Sequence, residues 1–226
     1  MDLHCLRNYV RRVKLETGLL RIFVIAWMIL LGSFAVVSAE PVDAGHAVVD
    51  LVSERKEIAP GDKFLAAFHM DIDDGWHVYW RNAGDAGIAP SITWQDKGGA
   101  VIKDFDWPAP HLIPLETLMN YGYESQLILP FEVTAPNDLA PGDTLRLTGK
   151  ADWQICLDVC IWEEADVELV LPVGEAPVLD TDTGAEIAKF LATTPKQLAG
   201  DSSVAVTDEA FRLSVQSSEI TSLIET

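Results

Sequence analysis

The chain has 226 residues, 49% of them hydrophobic, and a formal net charge of −19 at pH 7. Nucleic acid and anionic lipid are poor partners for such a surface, and the acidity reads as a solubility feature rather than a recognition surface. The length suffices for one domain of ordinary size and part of another.

The first 21 residues carry Arg7, Arg11, Arg12, Lys14 and Arg21 against only Asp2 and Glu16. An uncharged stretch of sixteen residues follows, Ile22 to Val37, and ends in Val37-Ser38-Ala39. A spanning helix needs about 20 apolar residues, so residues 1–39 read as an export signal peptide, with a retained anchor as the alternative. Without them the chain keeps 11 basic and 33 acidic residues, a net formal charge of −22, and loses Cys5. One even pair of cysteines then remains, Cys156 and Cys160.

From Ala47 the pattern is β: Val48 to Val52, the turn Ala59-Pro60-Gly61-Asp62, then Phe64 to Met70. Turn signals recur about every ten residues, at Pro90, Gly98-Gly99, Pro108, Pro110, Pro114, Pro136-Asn137 and Pro141-Gly142-Asp143. No helical periodicity breaks the run from 45 to 172, which predicts an all-β antiparallel sandwich. Asn82-Ala83-Gly84-Asp85-Ala86-Gly87 is rich in small residues and is expected to be a loop. His77 alternates with Trp76 and Val78; a lone histidine of this sort is more often structural than a ligand or an acid/base group.

The hairpin-like stretch Trp153 to Trp162 holds the two cysteines. Four residues of extended strand would separate their Cα atoms by about 13 Å, whereas a disulfide needs them within about 7 Å. The segment must therefore turn back, with Leu157-Asp158-Val159 at its tip. Leu145, Leu147, Ala151, Trp153 and Ile155 alternate into it, and Val167, Leu169 and Leu171 alternate out. Three roles compete for the pair. A structural staple across about five residues gains roughly 2 kcal/mol from chain entropy, against about 4.7 for a hundred-residue loop. A metal site lacks further ligands nearby, and a redox-active dithiol meets neither objection. Asp158, Glu163 and Glu164 surround the pair, and no lysine or arginine lies between Lys150 and Lys189, a setting that disfavours thiolate.

After Pro172 a Pro-, Asp- and Thr-rich stretch, residues 174–184, reads as a linker that closes a first domain at 40–173. Ala185 to Leu198 predicts an amphipathic helix through Ile187, Phe190 and Leu191, and Ser203 to Val206 and Phe211 to Val215 predict two strands. Residues 185–226 carry too few apolar positions for a core of their own and read as part of a second domain.

In combination, Asp74-Gly75-Trp76-His77-Val78-Tyr79-Trp80-Arg81-Asn82-Ala83-Gly84-Asp85-Ala86-Gly87, Trp107-Pro108, Asn120-Tyr121-Gly122-Tyr123-Glu124 and the Cys-x-x-x-Cys hairpin resemble the periplasmic N-terminal domain of DsbD/ScsB thiol:disulfide interchange proteins. Three residues between the cysteines in place of five, and Met119-Asn120 ahead of Tyr121 in place of an aromatic residue, favour the ScsB-like branch. The resemblance implies an immunoglobulin-like fold and a periplasmic relay without a cofactor, with Cys156 and Cys160 as the catalytic pair. Its partners would be a membrane thiol reductase domain and thioredoxin-fold periplasmic proteins. It further implies a cap loop over the cysteines, here Met119, Asn120, Tyr121, Gly122 and Tyr123, with Gly122 as hinge and Tyr121 and Met119 as covers, and that Cys160 forms the mixed disulfide while Cys156 resolves it. A family link to copper tolerance draws attention to His69-Met70 and to Met119 with His111, a scattered and weak set of donors, so no metal site is assigned. The rival function is an exported binding module for copper or a glycan with a merely structural disulfide.

Overall fold

The computed structural model describes residues 40–115, 117–196, 199–207 and 210–217. The expected signal peptide lies outside them, and among the described residues no helix is long and apolar enough to cross a membrane.

Two antiparallel sheets form the sandwich. The first has the order β1 (Val42–Asp43), β2 (Ala47–Ser53), β4 (Lys63–Ile72), β10 (Gln126–Thr134), β7 (Val101–Ile102). The second runs β12 (Cys160–Pro172), β11 (Thr144–Cys156), β5 (His77–Gly84), β9 (Leu118–Glu124), β8 (His111–Leu115), and β6 (Ser91–Asp96) also pairs with β11. Strict alternation places one face of each strand inside. Phe64, Phe68, Met70, Leu127, Leu129 and Phe131 from the first sheet meet Leu145, Leu147, Ala151, Trp153, Ile155, Val167 and Leu169 from the second, all buried. The alternating residues read on both sides of the cysteines are thus core residues, and Trp153 packs against Phe68 with ring centroids 6.1 Å apart.

One stretch departs from its expectation. Asn82-Ala83-Gly84 continue strand β5, and only Asp85 to Gly87 form a loop. The strand bows here: β5 advances from 79 to 84 while its partner β9 advances only from 122 to 120.

The segment read as a linker carries order of its own. β13 (Val178–Leu179) pairs with β3 (Arg55–Glu57), and helix α1 covers Thr181–Leu191, starting earlier and ending earlier than its apolar periodicity suggests. Asp180 caps it, its side chain accepting from the Thr183 N–H at 3.3 Å. Ile187 is fully buried against Ala67 and Ile128 on the outer face of the first sheet, with Val52, Leu65 and Phe190 around it. Beyond α1, β14 (Asp201–Val206) and β15 (Phe211–Gln216) form an antiparallel pair.

Candidate functional site

The cysteines sit opposite one another at the end of the longest ladder of the fold. Thirteen residue pairs join β11 to β12, ending with Ile155 opposite Ile161 and Cys156 opposite Cys160. The two cysteines are joined as a disulfide with Cα atoms 4.1 Å apart. Leu157 N–H donates to the Val159 carbonyl at 3.2 Å and closes the tip. Because Trp153 and Ile155 face the core, Cys156 emerges on the outer face of the sheet. It is nevertheless 0% exposed, whereas Cys160 is exposed. The exposed cysteine is flanked in the hairpin by exposed apolar side chains, Leu157, Val159 and Trp162.

The polar contact to the sulfurs comes from β5. Ile155 pairs with Val78 and Cys156 with His77, so Val78 joins the core while His77 and Tyr79 share the outer face with Cys156. Tyr79 is buried, and its hydroxyl donates to Cys156 Sγ at 2.9 Å and lies 3.5 Å from Cys160 Sγ. Burial pushes the Tyr79 phenol above its ordinary pKa, so it remains a neutral donor through the physiological range. The His77 ring stands edge-on to Tyr79 at 5.3 Å; burial lowers its pKa, against the opposing pull of Glu124, and keeps the imidazole neutral near pH 7. Gly87 makes room for this arrangement. It has φ +113°, and a Cβ there would run into the Tyr79 ring. Tyr79 was missed by sequence reasoning although its signal was present: Trp76 to Trp80 alternates, so residues 77 and 79 share a face.

The expected cap is part of a β-hairpin rather than a loop. Met119 to Tyr123 belong to β9, which pairs with β8 on one side and β5 on the other. Gly122 is no hinge: it stands opposite Tyr79 in the ladder, where a Cβ would strike the Val78 carbonyl, so glycine permits close strand approach. Tyr123 is buried, with its hydroxyl donating to the Pro108 carbonyl at 2.8 Å and its pKa strongly raised by burial. Asn120 is fully buried and its Oδ1 accepts from the Ala86 N–H at 3.1 Å. Asp85 clasps the neighbouring residue twice, its N–H donating to the Met119 carbonyl at 3.1 Å and its Oδ2 accepting from the Met119 N–H at 2.8 Å. The small-residue stretch, to which sequence reasoning assigned no task, therefore anchors β9 and shapes the room for Tyr79. Met119 and Tyr121 are the exposed members of the group.

Two electrostatic expectations change. Glu163 stands opposite Trp153 and is buried on the core side of β12, not beside the thiols; burial raises its pKa, and its Oε1 accepts from the His46 N–H at 2.9 Å. Asp158 and Glu164 are exposed, and Glu164 is paired with Lys150 Nζ at 2.7 Å. The scattered copper donors also separate. Met70 is a core residue, whereas His69 lies on the opposite face of β4; His111 stands opposite Gly122 while Met119 stands opposite Pro114. Among the described residues no group of three or more His, Cys, Asp or Glu side chains is arranged to hold a metal ion.

A sequence model of the family "Thiol:disulfide interchange protein DsbD, N-terminal" matches residues 49–172, more than half of the chain. The chain belongs to this family. No curated protein sequence matches it. Among solved structures, the N-terminal periplasmic domain of ScsB from Proteus mirabilis superposes with a TM-score of 0.57 at 20% identity, over 80% of this chain and 69% of that one. The N-terminal domain of DsbD from Neisseria meningitidis in the reduced form aligns with a TM-score of 0.24 at 15% identity, over 58% of this chain and 88% of that one. The ScsB match bears out the immunoglobulin-like fold expected from the motifs, and the family places the chain in thiol:disulfide interchange.

Proposed function

We propose that the chain is a periplasmic electron relay, exported by its N-terminal segment, that takes two electrons from a membrane thiol reductase domain and passes them to oxidised thioredoxin-fold proteins. The observation that carries this reading is the asymmetry of the pair: one exposed cysteine, Cys160, and one buried cysteine, Cys156, whose sulfur receives a hydrogen bond from Tyr79. In the forward step the Cys160 thiolate attacks a sulfur of the acceptor disulfide, forming a mixed disulfide and releasing one acceptor thiolate. Cys156 then loses its proton and attacks Cys160 Sγ. The Cys156–Cys160 bond forms, the mixed disulfide breaks, and the second acceptor thiolate leaves, so the acceptor gains two electrons and, on protonation, two protons. A donor dithiol reverses the sequence at the same exposed cysteine. The exposed Leu157, Val159 and Trp162 supply apolar area for a partner that has to cover Cys160 during exchange.

The deciding measurement is the reduction potential. A relay should equilibrate with glutathione buffers and titrate at about −180 to −250 mV, while structural disulfides in exported proteins lie below about −300 mV. A value in the second range would return the pair to the role of a staple. The cap residues give a smaller effect. We read Met119 and Tyr121, the exposed residues of β9, as partial covers, so Tyr121→Ala should speed oxidation of the reduced dithiol by peroxide by about two- to threefold. Stopped-flow oxidation rates check this, and unchanged kinetics would leave Tyr121 a strand residue only.

A further inference from the structure

Away from the cysteines, helix α1 rests on the outer face of the first sheet, and a compact polar cluster lies at the edge of its apolar contact. His69 on β4 stands opposite Asp50 on β2 and opposite Ile128 on β10. Its Nδ1 lies 2.8 Å from Asp50 Oδ1, and its Nε2 lies 3.3 Å from Asp71 Oδ1. Gln126 bridges to the helix: its Nε2 is 3.3 Å from His69 Nε2, 3.4 Å from Asp71 Oδ1 and 3.1 Å from Glu186 Oε1 on α1. The charged groups facing the imidazole are thus Asp50 and Asp71 from the sheet and Glu186 from the helix. The lysine nearest them in sequence on α1, Lys189, is placed over the Phe190 ring at 5.9 Å.

A count of hydrogens shows what the proton on His69 does. A glutamine amide has two N–H donors. With Nδ1–H directed at Asp50, a neutral imidazole offers Nε2 as an acceptor, so His69, Asp71 and Glu186 compete for the two hydrogens of Gln126. Once protonated, Nε2–H donates to Asp71, and Gln126 is left with enough hydrogens for Asp71 and Glu186. Protonation also sets one positive charge among three carboxylates that otherwise repel one another.

We propose that His69 is a proton-operated latch for helix α1: with its imidazolium in place the helix is held on the sandwich through Gln126 and Glu186, and with the imidazole neutral the helix loosens. The hydrogen bond to Asp50 raises the pKa of His69 against the effect of burial, with Asp71 and Glu186 adding to the rise. The latch therefore operates on the alkaline side of an ordinary histidine. Its stabilisation is fully present below the unfolded value of about 6.5 and is lost as pH rises through the higher folded value. Ile187 in its apolar seat, and the hydrogen bond from Ala109 N–H to the Thr193 carbonyl at 3.1 Å, do not titrate, so the helix loosens without leaving.

Hydrogen exchange of the α1 amides in the whole protein, corrected for the intrinsic rate at each pH, tests the latch. Protection of residues 184–192 should fall roughly two- to fivefold between pH 5.5 and 8.5, the range expected for partly exposed ion pairs, while amides in β11 hold their protection. His69→Gln should make α1 protection independent of pH at the lower level, and Asp50→Asn should move the transition to lower pH. Ile187→Ala should loosen the helix at every pH yet keep the pH-dependent ratio. Wild-type protection that does not change with pH, or a pH dependence that survives in His69→Gln, would overturn the proposal.

Discussion

Cys156→Ala protein should form a mixed disulfide with a thioredoxin-fold acceptor, and Cys160→Ala protein should not. A suitable acceptor keeps a single active-site cysteine carrying a thionitrobenzoate leaving group, so that attack is read from the colour released and the adduct from non-reducing electrophoresis. The expectation rests on access. Cys156 is 0% exposed and lies beneath the Tyr79 contact, whereas Cys160 is exposed at the start of β12 beside the tip. A thiolate has to reach the acceptor sulfur, so the buried cysteine would need a local opening before every attack. An opening that costs about 2.7 kcal/mol slows attack about a hundredfold, and a ratio of that order between the two variants is expected. A complex formed by Cys160→Ala and not by Cys156→Ala would reverse the roles. Failure of both would remove the relay itself.

Tyr79→Phe carries the second large effect. The phenol donates to Cys156 Sγ, which in the proposed relay becomes the attacking thiolate when the mixed disulfide resolves and the leaving group when a donor reduces the pair. A hydrogen bond to a charged group contributes about 1.5–3 kcal/mol, so its loss should slow resolution roughly ten- to hundredfold. With both cysteines intact, the variant should accumulate a mixed disulfide that the wild type does not, and its Cys156 thiol should titrate at higher pH. Burial keeps the phenol protonated above its ordinary range, so the wild-type advantage should persist to alkaline pH. Phenylalanine fills the same volume, and the thermal midpoint of the oxidised protein should move little. A large fall in stability with unchanged lifetime of the mixed disulfide would make Tyr79 a packing residue.

Much of the fold and the pairing of the two cysteines were legible in the sequence. Alternation with period two from Leu145 to Leu171 specified which residues face inward, and Leu145, Leu147, Trp153, Ile155, Val167 and Leu169 are all buried as that pattern requires. The spacing of Cys156 and Cys160 specified a tight reversal, because no extended segment brings two Cα atoms so close. Both are local properties, fixed by strand geometry and the reach of a disulfide.

What lay between strands was not legible. Tyr79 meets Cys156 across 77 residues of sequence, and only the register of β5 on β11 puts His77, Tyr79 and the cysteine on one face. The stretch from Asn82 to Gly87 looked like a loop because small residues lack strand propensity; pairing to β9 overrides that weak preference and turns the same residues into a clasp on β9. Gly122 looked like a hinge, yet the nearness of the Val78 carbonyl makes it a point of close strand approach. Helix α1 begins within the apparent linker because Asp180 caps it, and its place is set by a seat for Ile187 made from Ala67 and Ile128, residues far apart in the chain. Periodicity reports which side of a strand is apolar. Which strand lies beside it, and therefore which hydroxyl reaches which sulfur, is decided by the packing of the whole sandwich.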